Sequence, residues 1–346
     1  MQPGQTHNKN LVVTTSVIAG VIVTLVGLLL SGNLAVEAGR TQAMNSKQYS
    51  DSDVEDTRGF WDEGKQDEAK PRGEEISPGQ QQPELPDQGQ EQPTQGVDYR
   101  QPRTVEADRV ESPYTDPEFA IRGKIFFRMP QGVAECSGTV VHHAGGNMVW
   151  TAAHCLHGGR SGSFYDKVTF VPGYNGAGRT AQEREPFGRW PARRIQVSNQ
   201  WAQNADPGGK DTSASPFDYG AFVVDSRNGK TLEQAVGPGA EVYWNAPRHL
   251  RVQSFGYPGD EPYDGTALYT CSSPTTDFHE PGWPSPDMLW MGCTMTGGSS
   301  GGGWFTEVDG KKMFVSNVSL GVTTRTARTM TGPYLGDVAK DIYDSF

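Results

Sequence analysis

The sequence predicts an all-β protein: two six-stranded antiparallel β-barrels with a short C-terminal helix, preceded by an N-terminal apolar helix and a disordered tail. Three observations lead there. From about Pro117 onward, short runs rich in β-branched and aromatic residues alternate with Gly, Pro, Asn and Asp, the pattern of an all-β sandwich or barrel. Before that point the chain is poor in aliphatic residues and dense in Gln, Glu, Asp, Pro and Gly. At its start, Leu11 to Leu30 runs for twenty residues without a charge.

The apolar run is long enough to cross a hydrocarbon layer as a helix. Residues 1–38 therefore read as a membrane anchor with a cytoplasmic amino end, or as a signal peptide cleaved near Val36-Glu37-Ala38. Either places the rest of the chain outside the cell, secreted or held on the outer face of the membrane through residues 11–30. Residues 39–112 cannot bury enough apolar surface to offset the entropy of ordering them, and read as a disordered acidic linker or propeptide. A coil of about 74 residues reaches roughly 45 to 50 Å. Between Arg40 and Val110 there are 16 acidic and 9 basic residues, so this tail supplies −7 of the formal −11. What remains is only mildly acidic, which argues against nucleic-acid binding.

The folded part spans 113–346, with barrel 1 at about 118–230 and barrel 2 at about 231–346. Six strands are expected in the first: Lys124 to Met129, Ser137 to Val141, Met148 to Ala153, Lys167 to Val171, Ala192 to Val197 and Tyr219 to Val224. Six more follow: Glu241 to Trp244, Arg251 to Tyr257, Thr266 to Thr270, Met288 to Gly292, Gly303 to Val308 and Lys312 to Leu320. Val338, Ile342 and Tyr343 form one stripe of a closing helix. The four cysteines, Cys136, Cys155, Cys271 and Cys293, suggest two disulfides in an exported chain. Three pairings are possible, and local pairing is favoured because Cys136 and Cys155 flank a hairpin while Cys271 and Cys293 end two strands. Cys136, His142, His143, His154, Cys155 and His157 crowd together, but no pair has CxxC or HExxH spacing. No metal and no cofactor is implied.

Gly297 to Gly303 contains only Gly and Ser. A phosphate loop is excluded, since it needs a lysine and none lies between Lys230 and Lys311. Gly298-Ser299-Ser300-Gly301-Gly302 also fits the nucleophile elbow of α/β-hydrolases, in which the histidine follows the serine. Here no histidine follows His279, so any base for Ser300 must lie upstream. His154 sits in WTAAHC, Trp150 to Cys155, at the end of an apolar strand, where small residues let the strand pack while the imidazole points away.

TAAHC around His154, with CSGTVV from Cys136 before it, resembles the histidine segment of the chymotrypsin-like serine proteases. GGSSGG around Ser300 is similar to their serine segment, and FDYGAFVV, Phe217 to Val224, to their aspartate segment. The three come in the family's order, and the resemblance covers roughly Phe119 to Phe346. It implies a serine endopeptidase in which His154 takes the proton of Ser300 and Asp218 fixes the imidazole tautomer. It also implies an oxyanion hole formed by the N–H groups of Gly298 and Ser300. Protein or peptide would be the substrate, and the protein is expected to be a monomer. By the family's layout, Thr294, Met295, Thr296, Val318, Ser319 and Gly321 line the pocket for the side chain preceding the scissile bond. GKIFF (Gly123 to Phe127) and GGSSGG resemble the bacterial branch that includes the glutamyl endopeptidases. That branch, however, has a histidine where Val318 stands, and no carboxylate lies at the pocket's presumed base, so a neutral or small side chain is expected. Ser299 replaces the aspartate that in many members receives a new amino terminus, and no IVGG-like start lies near Ile121. The alternative function is a catalytically silent binding or adhesion module on the same fold.

Overall fold

The computed structural model describes residues 44–62, 64–77, 98–206 and 209–346. The expected apolar helix and cleavage site, within residues 1–38, lie outside the described residues, as do residues 78–97. Among the described residues no helix is long and apolar enough to cross a membrane. Met44–Phe346 forms one compact unit.

Four short strands precede the barrels: β1 (Met44–Gln48), β2 (Lys70–Pro71), β3 (Glu74–Ile76) and β4 (Asp108–Arg109). Barrel 1 consists of β5 (Arg122–Met129), β6 (Gly132–Val141), β7 (Met148–Thr151), β8 (Asp166–Pro172), β9 (Trp190–Ser198) and β10 (Gly220–Val224). Its antiparallel ladder runs β5-β6-β7-β10-β9-β8 and returns to β5. Ile125, Val149, Trp150, Phe170, Ile195 and Phe222 are buried inside this barrel's core cluster.

Barrel 2 consists of β11 (Arg251–Gly256), β12 (Tyr269–Phe278), β13 (Met288–Gly292), β14 (Gly303–Val308), β15 (Lys311–Asn317), β16 (Leu320–Thr323) and β17 (Arg328–Gly332). The ladder runs β15-β14-β11-β12-β13-β17-β16. Only Val318 and Ser319 separate β15 from β16, so the two are halves of one bent strand and the barrel closes with six. The disulfides Cys136–Cys155 and Cys271–Cys293 close loops of 19 and 22 residues, each worth roughly 3 kcal/mol in the chain-entropy account.

Three expectations need correction. Glu241 to Trp244 is not a strand; only Val242 makes an isolated bridge, to Phe314, and Trp244 packs against Trp150 and Tyr343. The sixth strand of barrel 2 is instead β17, whose sequence RTMTG lacks the apolar run that marks its neighbours. The strand expected at Thr266 to Thr270 begins only at Tyr269 and extends to Phe278.

The largest departure concerns the tail. Residues 44–62, 64–77 and 98–112, expected to be coil, are built onto the barrels. β1 adds to β9, and Tyr49 donates its hydroxyl to the Tyr165 carbonyl at 2.7 Å. The helix Asp51–Asp62 places Trp61 over Phe126 and Val171 on the outer face of barrel 1, with the indole N–H on the Lys167 carbonyl at 2.6 Å. That cover explains why β5 is buried on both faces from Arg122 to Phe127 instead of alternating. The closing helix, Asp337–Asp344, matches the expected stripe: Ile342 is buried, and Val338 and Tyr343 pack on the core.

Candidate active site

His154 lies in a single helical turn, Ala153–Cys155, that follows β7. The strand before it is fully buried, and the Cys136–Cys155 disulfide ties the turn to β6, so the imidazole is fixed from both sides. Asp218 closes the turn Ser215–Phe217 and leads into β10. Its Oδ1 accepts from the His154 backbone N–H at 2.9 Å, and its Oδ2 meets His154 Nδ1 at 2.7 Å. A carboxylate accepts and does not donate, so Nδ1 carries the proton and Nε2 is left as the basic nitrogen. Ser319 donates its hydroxyl to the same Oδ2 at 2.6 Å. Asn317 donates to the Asp218 carbonyl at 3.1 Å while accepting from the Trp150 indole at 3.1 Å. Both barrels therefore grip this aspartate, which is 0 % exposed.

The Gly/Ser run is a tight turn between β13 and β14. Gly301 has φ +80°, and a Cβ there would fall 1.9 Å from Thr151 Oγ1 and 2.8 Å from the Ala152 nitrogen. The turn is thus pressed against the end of β7, three residues before His154. The Ser300 carbonyl accepts from Ser137 N–H, and Gly301 N–H donates to Val318, both at 2.8 Å. Gly298 has φ +92°, and a Cβ there would meet the Tyr257 carbonyl at 2.6 Å. Glycine at these two positions serves close approach and left-handed backbone.

His154 and Asp218 are thus bonded directly, and the turn carrying Ser300 is packed beside them. Ser300 is 2 % exposed and His154 0 %; His154 Nε2 is buried without a hydrogen-bond partner among the described residues. A cavity of about 330 Å³ adjoins Ser300, and Met295, Thr296, Val318, Ser319 and Gly321 are among its lining. Thr294 does not line it. Its hydroxyl is engaged by Tyr263 Oη at 2.8 Å and by Ala107 N–H at 2.9 Å, because the 98–112 segment lies along that strand end. Arg328 and Met330, alternate residues of β17, also face the cavity; missing that strand hid both. Gly73, Glu74 and Glu75 line it as well, and so do Asp260 and Glu261, two carboxylates outside the residues expected from the sequence. Burial pushes the Glu74 carboxyl above its ordinary range, with the Asp218 charge adding to this and His154 and Arg72 opposing it.

Cys136, His154 and Cys155 come within 4.8 Å of one another, but both sulfurs are consumed by the disulfide and cannot ligate as thiolates. His142 is paired with Glu233 at 3.0 Å, and His157 Nδ1 accepts from Gly159 N–H at 3.0 Å.

Two solved structures resemble this chain along nearly their whole length. One is a thermostable serine protease, AL20, from an extremophilic microorganism: 32% identity, TM-score 0.57, covering 66% of this chain and 97% of that one. The other is the protease Anisep from Arthrobacter nicotinovorans: 34% identity, TM-score 0.57, covering 68% and 97%. The chain belongs to the trypsin-like serine proteases. A Glu endopeptidase structure, at 17% identity and TM-score 0.50 over 69% of this chain and 95% of that one, shares the fold with this protease. No family model matches the sequence, and no match was found among curated proteins. The first two relatives' solved chains leave about a third of this trypsin-like protease without a counterpart.

Proposed function

We propose that the protein is an exported, monomeric serine endopeptidase acting through His154, Asp218 and Ser300. The observation that carries this reading is the hydrogen-bonded chain from Ser319 through Asp218 to His154 Nδ1, with the Ser300 turn seated against the end of β7. His154 Nε2 takes the Ser300 hydroxyl proton as Oγ bonds to the scissile carbonyl carbon. The resulting oxyanion lies between the N–H groups of Gly298 and Ser300, and Asp218 stabilises the imidazolium. Nε2–H then protonates the leaving amine, the C–N bond breaks, and water attacks the acyl-enzyme by the same proton path in reverse. The two disulfides support an oxidising compartment outside the cell, whether residues 11–30 anchor the chain or are removed.

Kinship to the glutamyl endopeptidase branch rests on GKIFF and GGSSGG alone. For the residue preceding the scissile bond Met295, Thr296, Val318 and Met330 favour a neutral or small side chain, while Asp260 and Glu261 in the same lining make a basic one a competitor. Arg328 on the same wall makes an acidic one another competitor in a peptide-library assay. The second reading, a silent binding module, is favoured by one observation: Ser300 and His154 are both covered. Peptide hydrolysis is therefore compared in the parent chain and in Ser300→Ala. Each is assayed before and after limited digestion with a metalloprotease that is then chelated. Activity in the parent and a loss of about a millionfold in the variant is the expected result; a parent inactive in both states would favour the silent module.

A further inference from the structure

The cover over the active site is a segment of the chain itself, and it enters with a definite polarity. β2 adds to β6 in parallel register, Lys70 against Ala134 and Pro71 against Glu135. β3 adds to β16, also parallel, with Glu74, Glu75 and Ile76 against Leu320, Gly321 and Val322. Residues 70–76 thus cross from barrel 1 to barrel 2 directly over the Ser300 turn. At the crossing, Arg72 N–H donates to the Glu135 carbonyl at 2.9 Å, and the Arg72 carbonyl accepts from Gly298 N–H at 2.7 Å. The donor assigned to the oxyanion is therefore already engaged. Gly73 lies so close to the turn that a Cβ on it would meet Gly297 Cα at 2.7 Å. The Glu74 carboxyl is buried within the influence of His154 and Asp218.

We infer that residues 70–76 are an inhibitory strap that holds this protease latent by lying through its cleft in the direction opposite to a cleavable peptide. The inference rests on the reading of Ser300 as nucleophile. If the Arg72–Gly73 bond were offered for cleavage, Arg72, the residue before it, would fill the pocket. Instead the residues after it, Gly73, Glu74 and Glu75, line that pocket, while the chain before Arg72 pairs with barrel 1. The bond at the oxyanion position is therefore presented backwards, so the acyl and leaving sides are exchanged and attack is unproductive. Upstream anchoring by Trp61, Tyr49 and β1 keeps the strap at high effective concentration over the cleft.

The test uses the full chain and a small alkyl fluorophosphonate that captures a reactive serine. Gly73→Val cannot keep the strap seated against Gly297, and Glu74→Lys, which puts a long cation in the buried site, is a second way to unseat it. Neither residue takes part in the chemistry. Labelling of both variants is expected at least about tenfold faster than the parent, because the rate follows the fraction of open chains. A synthetic peptide of residues 69–77 added to Gly73→Val should slow labelling and be recovered uncut. A parent that labels as fast as both variants overturns the strap while leaving the protease reading intact. Cleavage of the peptide after Arg72 overturns the reversed polarity. If parent and both folded variants all fail to label, the nucleophile assignment itself falls, and the strap with it.

Discussion

Asp218 receives three hydrogen bonds on two oxygens: from the His154 backbone, from the imidazole and from Ser319. An asparagine there keeps the shape but offers an N–H₂ to one of these donors, so the imidazole is driven to the tautomer with its proton on Nε2. Added to the opened Gly73→Val chain, Asp218→Asn is therefore expected to lower turnover by about 10⁴-fold with an unchanged circular dichroism spectrum; peptide hydrolysis within tenfold of Gly73→Val alone would refute the role. Single residues were legible in the sequence where a motif surrounds them, as with TAAHC and GGSSGG. Ser319 was legible only as a pocket residue. Nothing in VSNVSL signals that its hydroxyl reaches a carboxylate 101 positions earlier, because side-chain hydrogen bonds across barrels leave no trace in local pattern.

Among the elements, strands with apolar runs were read to within a few residues, whereas β17 and the leading segment were not. The leading segment fails the compositional test because its anchors are few: Tyr49, Val54 and Trp61 are buried among mostly polar neighbours, and an average over the stretch dilutes them. The strap element also carries a pH dependence. Burial raises the Glu74 carboxyl when seated, Asp218 adds to the rise, and His154, Arg72 and Asp206 are the other charges that face it. A carboxyl raised in the seated state favours seating fully below its ordinary range near 4.5, and that contribution is lost as pH rises through the seated value. Fluorophosphonate labelling of the parent should therefore accelerate as pH increases above that range relative to Glu74→Gln, which has no carboxyl to ionise there. Parallel profiles for the two proteins would exclude Glu74 as a source of the dependence.

In the whole molecule, two barrels meet so that each supplies part of one site: His154 and Asp218 come from barrel 1, Ser300, Gly298 and Ser319 from barrel 2. Arg122 on β5 stacks 3.8 Å from the Phe255 ring and 4.5 Å from Phe305, and burial lowers its guanidinium to about 9. With Asn317 bridging Trp150 and Asp218, this joint fixes the separation on which the proton path depends. The order of the motifs raised the expectation of such a meeting, but not that a chain segment would lie across it. The most direct measurement of the central claim is the position of covalent capture, found by peptide mass mapping of the opened Gly73→Val chain after fluorophosphonate treatment. The account predicts one adduct, on Ser300, absent when Asp218→Asn or Ser300→Ala is added under the same exposure. An adduct on Ser299 or Ser319, or none on an opened and folded chain, would contradict it.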